Sequence, residues 1–278
     1  MELRHKYDLD LLLNCMNMVR STYYYYYEKK GQAIDKYQEI KDLIKQIYNY
    51  HKGRLGYRRI TLLIKKEGIL INHKTVLRLM KFLGLKSLIR IKKYRSYKGE
   101  QGKIAPNLLQ RNFKADRPNQ KWATDVTEFN VSGNKLYLSP IIDLFNGEII
   151  SYELSQRPVF NQVLNMLEKA FKKIPDNTNL TLHSDQGWQY QMKQYHHLLK
   201  KKGIKQSMSR KGNCLDNAII ENFFGILKSE LFYLKKYTSI NQLKQEIVEY
   251  INYYNNDRIK LNLKGMSPIQ YRAHYYKT

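Results

Sequence analysis

Residues 180–190 read LTLHSDQGWQY, and this stretch decides the fold. Leu180-Thr181-Leu182 is a short apolar run of strand type. It breaks into a polar turn at His183, Ser184, Asp185, Gln186 and Gly187. A helical stretch follows at about 191–202, then Gly203 and a second short strand, IKQSMS, at 204–209. Strand, helix and strand in that order make one step of an α/β domain. Turn chemistry alone explains an Asp at a strand tip. The surrounding sequence decides whether Asp185 does more.

Upstream, residues 122–131 (WATDVTEFNV) are rich in β-branched and aromatic side chains and predict a strand, with Asp125 in its middle. Ser132-Gly133-Asn134 supplies a turn. Residues 135–145 (KLYLSPIIDLF) form the next strand, with Pro140 marking an irregularity or an edge. Asn146-Gly147 is a hairpin signal, and EIISYEL at 148–154 is the third strand. An amphipathic helix at 159–173 precedes the opening stretch. Two long helices, about 216–235 and 239–255, follow the last strand. The order predicts an α/β domain with a mixed sheet.

The front of the chain has a different pattern. Residues 37–50 place Ile40, Leu43, Ile44 and Ile47 at helical spacing. A second helix runs from about Arg58 to Lys66 and stops at Gly68. Asn72 caps a third, HKTVLRLMKFL, which ends at Gly84. Three short helices with glycine turns predict an all-α helix-turn-helix module. Val76, Leu79, Met80 and Leu83 face its core. Lys74, Thr75, Arg78 and Lys81 remain outside, available to a DNA groove.

Charge supports that reading. The 278 residues carry a formal net charge of +25 with 42% hydrophobic residues, enough apolar material for a large core and a strong preference for polyanions. Residues 1–115 hold 26 Lys and Arg against 9 Asp and Glu, whereas residues 116–278 hold 23 against 15. Residues 86–103 form a basic linker that includes Lys92, Lys93 and Arg95. The expected division is an N-terminal segment at 1–34, the helix-turn-helix module at 35–85, the linker at 86–118 and an α/β domain at 119–278. Two distant cysteines, Cys15 and Cys214, exclude a Cys-based zinc site and fit a reducing cytoplasm. No apolar run reaches membrane-spanning length, and the start has no signal-peptide pattern. The Tyr23–Tyr27 run is expected to pack a short segment rather than to stack on bases.

Three acids of the back domain stand apart: Asp125, Asp185 and Glu221. Around the helix after residue 216, Ile220, Phe224, Leu227 and Leu231 share an apolar face. Glu221 and Lys228, seven residues apart, lie together on its rim, and Asp216-Asn217 can cap the helix start. Three converging carboxylates would repel one another without a cation. With two divalent cations they suit phosphodiester chemistry, since Mg²⁺ takes hard oxygen ligands. His183 is expected to hydrogen-bond the turn beside Asp185. Ser184 lacks a plausible His-Asp partner set for a nucleophile, and Cys214 reads as structural.

Asp125 in WATDVT, Asp185 in LHSDQGWQY and Glu221, separated from Asp185 by 35 residues, resemble the DD(35)E core of retroviral-type integrases and insertion-sequence transposases. YLSPIIDLF, SMSRKGNCLDNAIIENFFGILKSE and YINYYNNDRIKLNLKGMSPIQY extend the resemblance to 121–271, and GYRRI and INHKTVLRLM add the helical module. More narrowly, the chain resembles the downstream-frame product of the insertion-sequence family encoded in two overlapping frames. That resemblance implies a ribonuclease H-like mixed five-stranded sheet with flanking helices. It implies that Asp125, Asp185 and Glu221 are the catalytic, metal-binding triad for two Mg²⁺ or Mn²⁺ ions. The activity would be end cleavage and strand transfer, through a circular intermediate. Lys228, Arg210 and Lys211 join Lys74, Arg78, Lys92, Lys93 and Arg95 as expected DNA contacts.

The implied partners are terminal inverted repeats, target DNA, further copies of the chain, and an upstream-frame product or fusion. The implied location is the bacterial cytoplasm, on the nucleoid when bound. Two positions depart from the family pattern: Gln186-Gly187-Trp188 where Arg-Gly-Ser is common, and Lys260 where His is common. The alternatives are a non-catalytic DNA-binding regulator, an incomplete transposase subunit, or a metal-dependent nuclease of the same fold.

Overall fold

The computed structural model describes residues 6–32, 35–88, 105–210 and 214–277. Its front part is helical: α1 (Leu9–Cys15), α2 (Arg20–Gln32), α3 (Gln38–Tyr50), α4 (Tyr57–Lys66) and α5 (His73–Phe82). With Leu55 from the turn before α4, the last three share a core of Ile44, Ile60, Ile64, Val76, Leu79 and Met80. Of the positions expected there, Ile44, Val76, Leu79 and Met80 are buried, while Ile40, Leu43, Ile47 and Leu83 pack on it partly buried. Asn72 caps α5 as expected, its side chain accepting from the Lys74 N–H at 2.9 Å. Asn72→Ala should therefore cost about 1 kcal/mol of stability. A urea midpoint identical to wild type would show that the cap contributes nothing.

The tyrosine run behaves differently from expectation. Helix α2 has no apolar stripe, and Tyr24, Tyr25, Tyr26 and Tyr27 are exposed. Tyr23 and Tyr27 stack one turn apart, with ring centroids at 5.8 Å. Consecutive tyrosines point all round a helix, so they cannot share one buried face.

Six strands form one sheet: β1 (Lys121–Thr124), β2 (Thr127–Val131), β3 (Asn134–Asp143), β4 (Ile149–Ser155), β5 (Thr181–Ser184) and β6 (Lys205–Met208). They fill five positions, because β1 and β2 lie end to end along one edge of β3. Ala123 faces Ile142 and Phe129 faces Leu136. β4 pairs with the other edge of β3; β5 runs parallel to β1, and β6 parallel to β5. The strand predicted at 122–131 is thus broken at Asp125-Val126. There Asp125 Oδ1 accepts the Val126 N–H at 2.7 Å, a local bond that competes with the ladder. Pro140 marks its irregularity: the β3–β4 register shifts just beyond it, between Ile141 and Ile142.

Alternation along the strands feeds two cores. Trp122, Ile141 and Ile150 point to one face, covered by α6 (Phe160–Phe171) and α7 (Lys193–Lys202). Ala123, Ile142 and Ile149 point to the other, covered by α8 (Ala218–Glu230) and α9 (Ile240–Asn256). A short helix, α10 (Pro268–Lys277), ends the described chain. Asn255 ties α9 to the sheet by a two-way bond with the Ile149 backbone, at 2.9 and 3.0 Å. No described helix is long and apolar enough to cross a membrane.

The helical module docks on this second layer. His51 Nδ1 lies 3.1 Å from Tyr253 Oη, and Lys66 Nζ donates to the Gly265 carbonyl at 2.8 Å. Burial pushes His51 down to about 4, so its ring is neutral there at pH 7. The Arg54 guanidinium lies 4.7 Å from the Tyr253 ring, and its Nε donates to the Glu230 carbonyl. Glu230 itself is buried. Arg258 donates to it from Nε and Nη2, the latter at 2.6 Å, and Tyr250 Oη donates at 2.8 Å.

Candidate active site

Asp125 leaves the end of β1 and Asp185 the end of β5. Those strands are parallel neighbours, with Ala123 opposite His183, so both acids emerge at the same end of the sheet. Glu221 stands in the first turn of α8, which packs on that sheet through Ile220 and Phe223. All three carboxylates are half-buried.

The electrostatics show the crowding. Burial raises Asp125 well above its ordinary value, the charge of Asp185 adds to it, and that of Glu221 adds further. The Val126 amide and the Lys228 ammonium oppose the rise. Burial also raises Asp185, against the hydrogen bond from the Gly187 N–H at 2.8 Å. Gly187 is needed for close approach: a Cβ there would meet Asp185 Oδ1 at 2.9 Å. Beneath the pair, Tyr190 and Tyr195 meet edge to face at 5.5 Å. Burial, then Asp125 and Asp185, hold the Tyr190 hydroxyl in its neutral form. Lys228, two turns along α8 from Glu221, holds its Nζ 5.2 Å from the Phe129 ring centre.

The donor set fits a hard divalent cation by charge and atom type, because a cation would relieve the repulsion at Asp125. Among the described residues no three His, Cys, Asp or Glu side chains are gathered into a ready metal cluster.

Not every acid here belongs to this group. Asp143 is fully buried and raised by burial, yet it accepts from the Asn119 and Phe145 amides and from Arg272 Nη2 at 2.6 Å. It is a structural anchor. His183 also differs from expectation. Its Nδ1 meets Ser207 Oγ at 2.8 Å, so it bridges β5 to β6 instead of the turn beside Asp185. The reason is register: His183 stands directly opposite Ser207 on β6. Asp216, read as a helix cap, instead accepts from Arg210, Arg111 and Asn107. Sequence reading missed Arg111 and Asn107 in this role, since both lie about a hundred residues from their partner. Arg258 is the buried partner of Glu230.

Of the expected DNA contacts, Lys74 and Arg78 are exposed on α5, and the Arg78 guanidinium lies 5.5 Å from the Tyr37 ring. Arg210 is more than half exposed while paired with Asp216. Lys92, Lys93, Arg95 and Lys211 lie outside the described residues.

The chain is similar to known proteins along most of its length. Residues 115–214 match the family described as integrase core domain, residues 221–275 match a second integrase core domain family, and residues 36–93 match an HTH-like domain. The chain is 58% identical over 275 residues to the transposase InsK for insertion sequence element IS150 of Escherichia coli, covering 99% of this chain and 97% of that protein. It is 55% identical to a transposase-like protein of Haemophilus influenzae, over 75% of this chain and 96% of that one. Among solved structures, the HTLV-2 integrase catalytic core domain in complex with magnesium is similar at 20% identity and a TM-score of 0.46, over 56% of this chain and 98% of that one. With 58% identity to a transposase along nearly its whole length, the chain belongs to the insertion-sequence transposases: it is a DNA transposase with an integrase core and an HTH-like module.

Proposed function

We propose that Asp125, Asp185 and Glu221 hold two divalent cations, Mg²⁺ or Mn²⁺, and that this site cuts insertion-sequence ends and joins them to target DNA. The observation that carries the reading is geometric: Asp125 and Asp185 emerge at the same end of the neighbouring parallel strands β1 and β5, with Glu221 in the first turn of the helix packed on that sheet, and the crowding raises Asp125. Two such ions supply Lewis-acid stabilisation and activate the attacking oxygen for in-line displacement. The protein's own part is positioning. The Val126 and Gly187 amides fix one oxygen each of Asp125 and Asp185. Tyr190 and Tyr195 exclude water from beneath the pair. Lys228 offers a cation to a DNA phosphate near Glu221.

Hydrolysis breaks one P–O bond and frees a 3′-hydroxyl. In the second step that hydroxyl's oxygen attacks a target phosphodiester, and one P–O bond replaces another. Lys74 and Arg78 meet DNA from α5, with Lys92, Lys93, Arg95, Arg210 and Lys211 neutralising further phosphates. Holding two ends together calls for several copies of the chain. The IS1353 transposase of Shigella flexneri, matched over 97% of this chain but 53% of its own length, supports a reading in which additional sequence or an upstream-frame partner completes the machine.

The test is a supercoiled plasmid carrying the element's two ends, incubated with protein and Mg²⁺ or Mn²⁺, with products mapped to the nucleotide. Nicks and joints at the ends, absent with a chelator, are expected. Scattered cutting without joining would identify a nuclease instead. Binding without cutting would identify a regulator or an incomplete subunit.

A further inference from the structure

A second feature borders the catalytic carboxylates. Asn107, Gln110, Arg111 and Arg210 line a surface cavity of about 430 Å³. Its floor is organised by Asp216, whose side chain is sealed from solvent. That carboxylate accepts five hydrogen bonds. Oδ1 takes Arg111 Nε at 3.0 Å and Arg210 Nη2 at 3.1 Å. Oδ2 takes Asn107 Nδ2 at 2.9 Å, Arg210 Nε at 2.9 Å and the Arg210 amide at 3.1 Å. The Arg210 bonds, first among these, hold the Asp216 carboxyl far below the usual carboxylate range, against the pull of burial. Asp216 is therefore always charged, and it fixes two guanidinium groups side by side.

Among the described ion pairs, one carboxylate holds two guanidiniums at the cavity wall. Both arginines remain about half exposed, at 46% and 58%. Gln110 and Arg111 both adopt left-handed backbone, with φ of 47° and 64°. Successive non-glycine residues seldom do so, and such conformations persist where surrounding bonds impose them. Here the Gln110 amide is tied to Asn107 Oδ1 at 2.9 Å. A rigid, paired-guanidinium wall of this kind matches the oxygens of a phosphodiester.

The location selects which phosphodiester. Arg210 follows Ser209, whose N–H donates to the Ser184 carbonyl, next to Asp185. Asp216 sits in the turn Cys214–Asn217 that leads directly into α8 and Glu221. We infer that Arg111 and Arg210, locked by Asp216, form a clamp for a backbone phosphate of the DNA strand being cut, close to the scissile bond. This deepens the transposase reading and rests on it.

The test is equilibrium binding of duplexes carrying one element end, each with a single neutral methylphosphonate, to wild type, Arg111→Gln, Arg111→Lys and Asp216→Asn, with cleavage of the same duplexes scored separately. Wild type should lose about tenfold in affinity at one or two positions near the cut. Arg111→Gln should lose affinity for the normal duplex, and methylphosphonate at those positions should then cost nothing more. Its salt slope should fall by about 1. Arg111→Lys, which keeps the charge without the fork, should recover only part of the loss. Asp216→Asn should repeat the Gln pattern. Equal penalties at every position in wild type and Arg111→Gln would overturn the clamp, even if cleavage at the ends stands. The expected binding pattern with no cleavage would keep the clamp and overturn the proposed cutting by this chain alone, as for a regulator or an incomplete subunit.

Discussion

Asp125→Asn should abolish end cleavage and strand transfer while making the metal-free protein more stable. The two effects have one cause. Asp125 carries a charge that burial, Asp185 and Glu221 all disfavour. Removing it relieves the fold and leaves the proposed cations without a ligand. Metal stabilisation of a phosphoryl transition state is worth several kcal/mol, so the rate should fall by at least about 1,000-fold. Glu221→Gln should lose activity comparably.

The stability gain has a pH signature. A carboxyl whose folded value is raised binds its proton more tightly in the native state than in the unfolded chain. In wild type this term lowers stability as pH rises from 3.8, the ordinary Asp value, through the raised folded value, and restores it as pH falls back. Thermal melts across that window, without metal, should show a smaller decline for Asp125→Asn. Adding Mg²⁺ or Mn²⁺ at neutral pH should raise the wild-type midpoint and not that of the variant. Retained strand transfer in Asp125→Asn would remove this residue from the site.

Arg258→Met should destabilise the protein by about 3–5 kcal/mol, the largest structural effect expected from a single side chain here. Arg258 and Glu230 are 4% and 1% exposed, and their closest contact is 2.6 Å. Without the guanidinium, Glu230 keeps only the Tyr250 hydroxyl as a side-chain donor among the contacts described. An uncompensated buried charge is costly, whereas replacing both partners by apolar residues is often near neutral. The double change Arg258→Met with Glu230→Leu should therefore recover much of the loss. Urea titration of the three proteins measures this. A loss under about 1 kcal/mol for Arg258→Met would mean that water reaches Glu230.

Much of the site was readable before any coordinates, for physical reasons. The α5 cap was visible because Asn72 precedes a periodic apolar run, and the glycines at 68 and 84 bound it. Asp185 stands out only in company: turn chemistry alone explains an acid after Leu180 and Leu182, and it is the spacing to Asp125 and Glu221 that sets it apart. Glu221 and Lys228 lay two helical turns apart on a face set by Ile220 and Leu227. What stayed hidden depends on long-range pairing. WATDVTEFNV has strand-type residues throughout, so nothing local announced the break at Asp125-Val126. It follows from a side-chain bond and from two separate pairings along β3. Asp216 read as a helix cap because its neighbours in sequence are helical. Its actual donors include Asn107 and Arg111, from a segment with no periodic signal. The pairing of Glu230 with Arg258 joins residues 28 apart with no local signal between them.

That docking has a consequence for how the enzyme measures DNA. His51 and Arg54 fasten the helical module to the same layer, α9 and α8, that carries Glu221, and Lys66 ties it to the segment between α9 and α10. On the proposed reading, α5 recognises one stretch of the end and the carboxylates cut another. The protein then acts as a ruler of fixed length between them. Inserting a single base pair between the two contacts displaces the cut phosphate by about 3.4 Å and rotates it about the duplex axis, more than fixed ligands tolerate. Ends lengthened by one pair should be bound by the module and missed by the blade.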